Sequence, residues 1–460
     1  MHKYIIVMRR LVLCAVSLLM LTGCWRTVTV TEPDIVPEPM FMVQKEGSYA
    51  LNRQVAIAVS GVGQNSPTVK HIMKSLRHAH MRPSLVALSE ESDILLQIND
   101  TVNPELGTEG YLLEVRSDGV AMSANSEVGL LYAYQTLLQM LPIDIEQTTY
   151  KTVVLPECTI LDRPRFEWRG VHINVSGTPM PVKVLKRVID AMSFYKFNRL
   201  CIDGSRWNQD SLRWEVDSLA AYSPGEAEEL MTYAADQGVL VLWDSLPLHA
   251  ADLQEGFIQA QQGNTVVMEP MQYWDFSCYQ ADPRYQPQAH EGVITLQRAY
   301  QFDPVPHATN RHTAANISGG QCRLLTDCVV DMGQTEYMLF PRLLAVAECL
   351  WSPAGKLNWP NFRKKVEIHK ERLHAKGYNY CEGSFTPLFK ASRVDDHTMN
   401  IAIETEVPNT YIFYSIDGSA PTRQSSIYLG PINLQRGTHI KILPVYKDIA
   451  RDSVYEFIIK

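Results

Sequence analysis

Between residues 169 and 243 the chain alternates extended apolar runs with helical ones, and this alternation constrains the fold more than any other feature. Residues 170–176, 198–203 and 239–243 read as strands, while 181–195 and 224–237 between them read as helices. Strands that alternate with helices pair in parallel, and the helices cover the sheet, which is why such strands are almost continuously apolar. Ser223, Pro224 and Glu226 supply an N-cap, a first-turn proline and an early acid to the second helix, and Gly238 stands just past its end. Further along, 265–268 and 316–321 read as strands, 334–351 as one long helix and 359–376 as a last amphipathic helix.

The flanks have a different grain. Residues 33–155 mix strand-like stretches (54–59, 94–98 and 111–116) with a helix at 126–140, in which Val128, Leu131, Tyr134, Leu137, Leu138 and Leu141 recur at helical spacing. This predicts a small α+β domain whose Tyr132, Tyr134 and Met140 are packed in its core. Residues 386–460 are a series of short β-rich runs (401–405, 411–416, 439–446 and 453–459), and Asp417-Gly418 is a hairpin-type turn signal. This predicts a small all-β domain.

Ahead of all three comes a leader. Lys3, Arg9 and Arg10 precede an apolar run from Leu11 to Leu21, and Leu21-Thr22-Gly23-Cys24 follows. A basic start, a short apolar stretch and small residues at a cleavage point make an export signal. The run is well short of the roughly 20 residues that cross a bilayer. Its ending is similar to the lipobox of bacterial lipoproteins, so residues 1–24 are expected to be a lipoprotein signal peptide. Cys24 is then the lipidated residue that anchors an exported protein, periplasmic or cell-surface, to a membrane.

A net charge of −8 disfavours nucleic acid as a partner, because phosphate binding needs a basic face. Cysteines 158, 201, 278, 322, 328, 349 and 381 are odd in number and lack paired spacing, which argues against a disulfide framework and against a metal site. They are expected to be small buried apolar groups. No cofactor is implied.

Several segments resemble one family. Pro164 to Ser176 (PRFEWRGVHINVS), Pro181 to Asp190, Tyr233 to Gly238, Gly319 to Gln321, Glu336 to Ala345 and Glu348 to Ser352 are similar to the β-N-acetylhexosaminidases of the chitobiase kind, glycoside hydrolase family 20. Val36 to Pro39 and Gly129 to Gln139 resemble that family's N-terminal domain, and Tyr414 to Thr422 with Tyr428 to Ile432 resemble its C-terminal β-sandwich. The resemblance implies a (β/α) barrel with its active site at the carboxyl ends of the strands. It also implies a retaining hydrolysis in which the acetamido oxygen of the sugar attacks the anomeric carbon, so that no protein nucleophile is used.

Against that pattern the chain is incomplete. The family's adjacent aspartate and glutamate, one orienting the acetamido group and the other protonating the leaving oxygen, end a strand in a His-x-Gly-Gly-Asp-Glu motif. No such motif occurs, and no Asp-Glu dipeptide stands in the barrel region. Only 16 residues separate His249 from Val266, where the family places two further strand and helix units, and a single such unit needs about 30. At least one unit, and two by the family's order, is therefore expected to be absent. The expected fold class is α/β: an incomplete TIM-type (β/α) barrel over 160–380, flanked by the N-terminal α+β domain and the C-terminal β-sandwich.

The resemblance also bears on the sugar ligands. The family's diol-gripping arginine corresponds to Gly177, and its Trp-Thr-Glu reads Leu325-Thr326-Asp327, with the aromatic wall lost and the acid shortened. Tyr273 and Asp275 match the family's Tyr-x-Asp, whose tyrosine meets the acetamido oxygen and whose aspartate binds a hydroxyl. His249 matches the histidine that supports the acid, while Asp244 stands near a family loop aspartate in a segment one residue short. Candidate substrate ligands are therefore Tyr273, Asp275, Asp327 and His249, with no catalytic residue assigned.

Asp252 and Glu255 read as the only carboxylates near the junction, spaced for one helical face and expected to be a solvated connection. The leading expectation is a lipid-anchored family member, catalytically inactive or severely impaired, that still recognises N-acetylhexosamine glycans. The alternatives are an active β-N-acetylhexosaminidase using Glu255 or Asp327 as a relocated acid, and the product of an in-frame deletion without present function. The C-terminal domain is expected to brace its neighbour rather than grip sugar.

Overall fold

The computed structural model describes residues 26–459 apart from 177–178, 205, 209–212, 216–221, 244–248, 448 and 451–453. Cys24, Gly177 and Asp244 lie outside the described residues. The N-terminal part is a mixed eight-stranded sheet. It includes Gln54–Ser60, Ile94–Ile98, Tyr111–Arg116 and Gly119–Ala124, and its strand Tyr150–Asp162 runs on to the edge of the next unit. Helix Glu127–Met140 is buried on every side from Gly129 onward. A helix apolar all round must lie between two packed layers, and this one does: Gln135 Nε2 donates to Ser193 Oγ (3.1 Å) and Gln139 Nε2 to the carbonyls of Val36 (2.8 Å) and Phe194 (3.2 Å). Tyr132, Tyr134 and Met140 are fully buried.

The central part is a six-stranded parallel sheet in the order Leu240–Trp243, Arg199–Asp203, Trp168–Asn174, Ile317–Leu325, Val266–Met268, His249–Ala250. Among the described residues no ladder joins its two edge strands. Helices Val182–Phe194, Pro224–Asp236 and Arg342–Trp351 stand between or after the strands, as the alternation predicts. Ser223 and Glu226 form a complete capping box at one of them, and Gly238 adopts the left-handed conformation (φ +72°) that ends it.

The interval after His249 holds a miniature unit. A two-residue strand leads straight to Asp252, which caps the nine-residue helix Leu253–Gln261, and Val266–Met268 follows. The helix fits because Gly256 lies against Ala250 and Met268: a Cβ there would stand 2.8 Å from the Ala250 Cβ and 2.9 Å from the Met268 sulfur. The predicted long helix 334–351 is in fact two, Met332–Leu339 and Arg342–Trp351. Pro341 lacks the amide hydrogen that continuation needs.

The C-terminal part has two sheets, one of Leu388–Arg393, Thr398–Glu404 and Ile432–Gln435, the other built on Tyr411–Ser415, His439–Tyr446 and Tyr455–Ile458. Ile401, Ile403, Ile412, Leu434, Ile440 and Ile442 fill the space between them. The buried Glu406 docks the domain by accepting hydrogen bonds from the amides of Gln297 (2.7 Å) and Ser384 (3.2 Å).

One carboxylate joins the first two parts. Asp162 accepts from Tyr111 Oη (2.6 Å), Lys196 Nζ (3.1 Å), Trp351 Nε1 (2.9 Å) and the amide of Met40 (3.0 Å). Lys196 is fully buried, and burial pulls its pKa below the usual lysine value against the opposing charge of Asp162. Breaking a buried pair from one side strands the other charge, at a cost of about 3–5 kcal/mol. Asp162→Asn is therefore expected to lower the unfolding free energy by about that much in urea titrations, and the Asp162→Asn, Lys196→Met double variant to recover a large part of the loss.

Candidate functional site

In a parallel sheet the carboxyl ends of all strands face the same side, so polar residues there converge. Here the strand ends bring together His172 and Asn174, Asp203, Glu269 and Gln321, all less than 10% exposed. His172 sits between two carboxylates: Nδ1 meets Glu269 Oε2 at 2.8 Å and Nε2 meets Asp203 Oδ2. Both ring nitrogens face acceptors, so the ring donates from both and is an imidazolium. Asn174 Nδ2 donates to Asp203 Oδ1 (2.7 Å), and Gln321 Nε2 to Glu269 Oε2 (2.5 Å). Gln321 is itself fixed by Trp168 Nε1, which donates to its Oε1 at 3.0 Å.

The electrostatics follow from this arrangement. Burial by itself lowers an imidazole pKa, but attraction to Glu269 and the hydrogen bonds with Asp203 and Glu269 outweigh it and raise His172 to about 9. Burial by itself raises a carboxyl pKa, but the charge and hydrogen bond of His172, with help from His249 and Gln321, hold Glu269 below the usual carboxylate range. Glu269 is thus ionised. Its other oxygen, Oε1, is buried and makes no hydrogen bond among the described residues.

The four expected substrate ligands lie along the same rim. His249 begins the edge strand, and its ring stands edge-on to His172 with centroids 6.2 Å apart. Tyr273 lies on the short helix Met271–Trp274, its ring against Phe302 (5.3 Å) and under the Arg298 guanidinium (4.1 Å). Asp275, at the end of that helix, is buried, accepting from Arg323 Nη2 (2.6 Å) and the amide of Ser277 (3.1 Å). Asp327 is half-exposed on the turn after Leu325 and meets His290 Nε2 at 2.9 Å. Residues 275–277 run beside 323–325, with the Phe276 amide bonded to the Arg323 carbonyl (2.7 Å) and the His290 amide to the Ser277 carbonyl (2.8 Å). Asp275 and Asp327 therefore stand on adjoining segments, and His249 lies beside His172.

One reading of the junction needs correction. Asp252 and Glu255 are not its only carboxylates, since Glu269 lies just past Val266–Met268 with its side chain turned inward. Asp252 and Glu255 themselves are exposed; Asp252 caps the helix by accepting the Glu255 amide (2.9 Å), and Glu255 accepts from Gln259 (2.6 Å). Residues 158, 201, 322, 349 and 381 are the expected buried cysteines, whereas Cys278 and Cys328 are half-buried, and all seven are free. His172, Asp203, Glu269, Gln321 and His290 were not singled out from sequence. The available signal was a polar residue within or just after each apolar strand, the position from which barrels present functional groups.

His172 makes the fold pH-sensitive in a definite direction. Its pKa is raised from an ordinary 6.5, so its contribution is complete below pH 6.5 and is lost as pH rises through about 9. At 1.36 kcal/mol per pKa unit this amounts to about 3 kcal/mol. Urea titrations between pH 6.5 and 9 are expected to show stability falling by about that much, and a His172→Gln, Glu269→Gln double variant to lose this slope.

Three sequence families match the chain in order. "Glycosyl hydrolase family 20, domain 2" covers residues 32–163, "Glycosyl hydrolase family 20, catalytic domain" covers 166–259 and 243–354, and "Chitobiase/beta-hexosaminidase C-terminal domain" covers 393–456. The β-hexosaminidase of Porphyromonas gingivalis is 22% identical over 597 residues, covering 94% of this chain and 76% of the relative. That of Akkermansia muciniphila is 21% identical, covering 65% of this chain and 90% of the relative. Among solved structures, the Streptomyces plicatus N-acetyl-β-hexosaminidase in complex with Thio-NAglucal has a TM-score of 0.66 at 19% identity, covering 76% of this chain and 97% of that one. The Vibrio harveyi GH20 exo β-N-acetylglucosaminidase in complex with N-acetylglucosamine has a TM-score of 0.63 at 16% identity, covering 77% and 79%. These structural likenesses are of fold, which is α/β. With domains of one family matching from residue 32 to residue 456, the chain belongs to the β-N-acetylhexosaminidase-like glycoside hydrolases of family 20.

Proposed function

We propose that this chain is a lipid-anchored family 20 protein in which hydrolysis is absent or severely impaired and recognition of N-acetylhexosamine glycans is retained. The observation that carries the reading is the state of the carboxylates at the strand ends. A general acid must hold a proton next to the glycosidic oxygen, so its carboxyl pKa has to lie near the working pH. Asp203 and Glu269 are instead paired with one imidazolium, which holds Glu269 ionised, and Asp275 is paired with Arg323. Glu255 lies exposed on an outer helix and Asp327 is engaged by His290.

An internal loss of strand and helix units at the junction accounts for the missing Asp-Glu pair. In support, the catalytic-domain family matches in two pieces that overlap at 243–259, and the Porphyromonas gingivalis alignment runs over 597 residues against the 460 of this chain. For recognition, Tyr273-Trp274-Asp275 resembles the family's Tyr-x-Asp, and solved relatives carry N-acetylglucosamine or Thio-NAglucal.

The loss of a general acid is worth about 10²–10⁴-fold in rate. Purified protein incubated with an aryl N-acetyl-β-glucosaminide is expected to release no chromophore above buffer, and turnover at an ordinary enzymatic rate would end the inactive reading. Calorimetry with N-acetylglucosamine oligomers is expected to give millimolar binding that Tyr273→Ala weakens, while silence at millimolar ligand removes the recognition claim.

The anchor rests on Leu21-Thr22-Gly23-Cys24. Mass spectrometry of the mature protein is expected to find a lipid-modified Cys24 as the first residue, and Cys24→Ser to move the protein out of the membrane fraction. A mature N-terminus elsewhere removes the anchor.

A further inference from the structure

Beyond the glycan reading, we propose that His290, Asp327 and Cys328 form a zinc site at the rim of the sheet. Their donor atoms, an imidazole nitrogen, a carboxylate oxygen and a thiol sulfur, all lie within 4.8 Å of one another. This mixed set of borderline and soft donors suits Zn²⁺ better than Mg²⁺ or Ca²⁺, which take oxygen. Zinc bonds of about 2.0–2.3 Å at tetrahedral angles hold donors about 3–4 Å apart. Small rotations of the half-exposed Asp327 and His290 side chains reach that spacing.

The backbone under the site is built to hold it. Asp327 and Cys328 occupy one tight turn, closed by the Val329 amide on the Thr326 carbonyl (3.2 Å), directly after the Ile317–Leu325 strand. His290 is on a neighbouring strand tied to residue 277 (2.8 Å). A single side chain clamps the two together: Gln334 Nε2 donates to the carbonyls of Cys328 (2.8 Å) and Gln288 (2.9 Å), and its Oε1 accepts the Val330 amide (3.1 Å). These bonds hold the two backbone segments, and with them the donor side chains, beside one another. Three protein donors leave one tetrahedral position, on the solvent side, for water or an incoming oxygen or nitrogen donor.

The test uses the full mature chain, reduced and freed of metal, titrated with Zn²⁺ by calorimetry and with Co²⁺ by absorption. One ion per chain is expected, with a thiolate-to-cobalt charge-transfer band. Cys328→Ser is expected to remove the band and His290→Ala to weaken Zn²⁺ binding by more than Gln334→Ala does. Cys278→Ser, a half-buried thiol whose Sγ already donates to the Glu291 carbonyl (3.3 Å), is expected to change neither. Far-UV circular dichroism of each variant separates loss of fold from loss of ligand. The proposal is overturned if no Zn²⁺ binds at micromolar concentration, if the folded Cys328→Ser chain keeps the band, or if Cys278→Ser abolishes it.

Discussion

The structure depends on a carboxylate that has no access to water. Asp162 ends the last strand of the N-terminal sheet, and its two oxygens gather a tyrosine from that sheet, the ammonium of Lys196 ahead of the second strand of the parallel sheet, and the indole of Trp351 at the end of its last covering helix. Arg169, also fully buried, repeats the arrangement from the other side: it forks onto Glu109 (2.9 and 3.0 Å) and donates to the Lys196 carbonyl (2.8 Å). Burying such charges is costly unless every donor and acceptor is matched. The matching sets how the N-terminal domain sits against the parallel sheet, and apolar contacts, which lack direction, do not set orientation in this way.

The same logic operates at the opposite end of the parallel strands, with a different result. In a complete barrel the interior is filled by layers of side chains from alternate strands. Among the described residues the carboxyl ends of 168–174, 199–203 and 266–268 share an interior that holds His172, Asp203 and Glu269. An imidazolium between two carboxylates gives both buried anions a shared partner of opposite sign, which offsets part of the cost of keeping them out of water. In that state the proton rests on the imidazole and Glu269 stays ionised.

Much of the fold was legible beforehand for identifiable reasons. The strand Tyr111–Arg116 and the helix Pro224–Asp236 carry clean periodicity and, in the second case, a complete cap, so local physics and tertiary context agree. The 334–351 stretch reads as one helix because its apolar pattern continues across Pro341, and the break into two is a backbone effect rather than a pattern effect. Next to Val266-Val267-Met268 and Pro270, Glu269 reads as no more than the polar end of a strand. Only the facing His172 makes it part of a site. His290 and Cys328 lie 38 residues apart with no metal-ligand spacing, and Gln334 brings their segments together.

By itself the sequence determined the order of structural elements, the alternation that demands a parallel sheet, and the absence of an adjacent acid pair, since these follow from periodicity and residue identity within a short window. The tertiary structure decided which charges neutralise one another: that His172 is a cation, that Glu269 is ionised, and that Asp275 and Asp327 are already engaged. The physical reason is that ionisation and hydrogen bonding depend on distance and burial through space, and strands separated by about 150 residues of chain become neighbours only when the sheet forms.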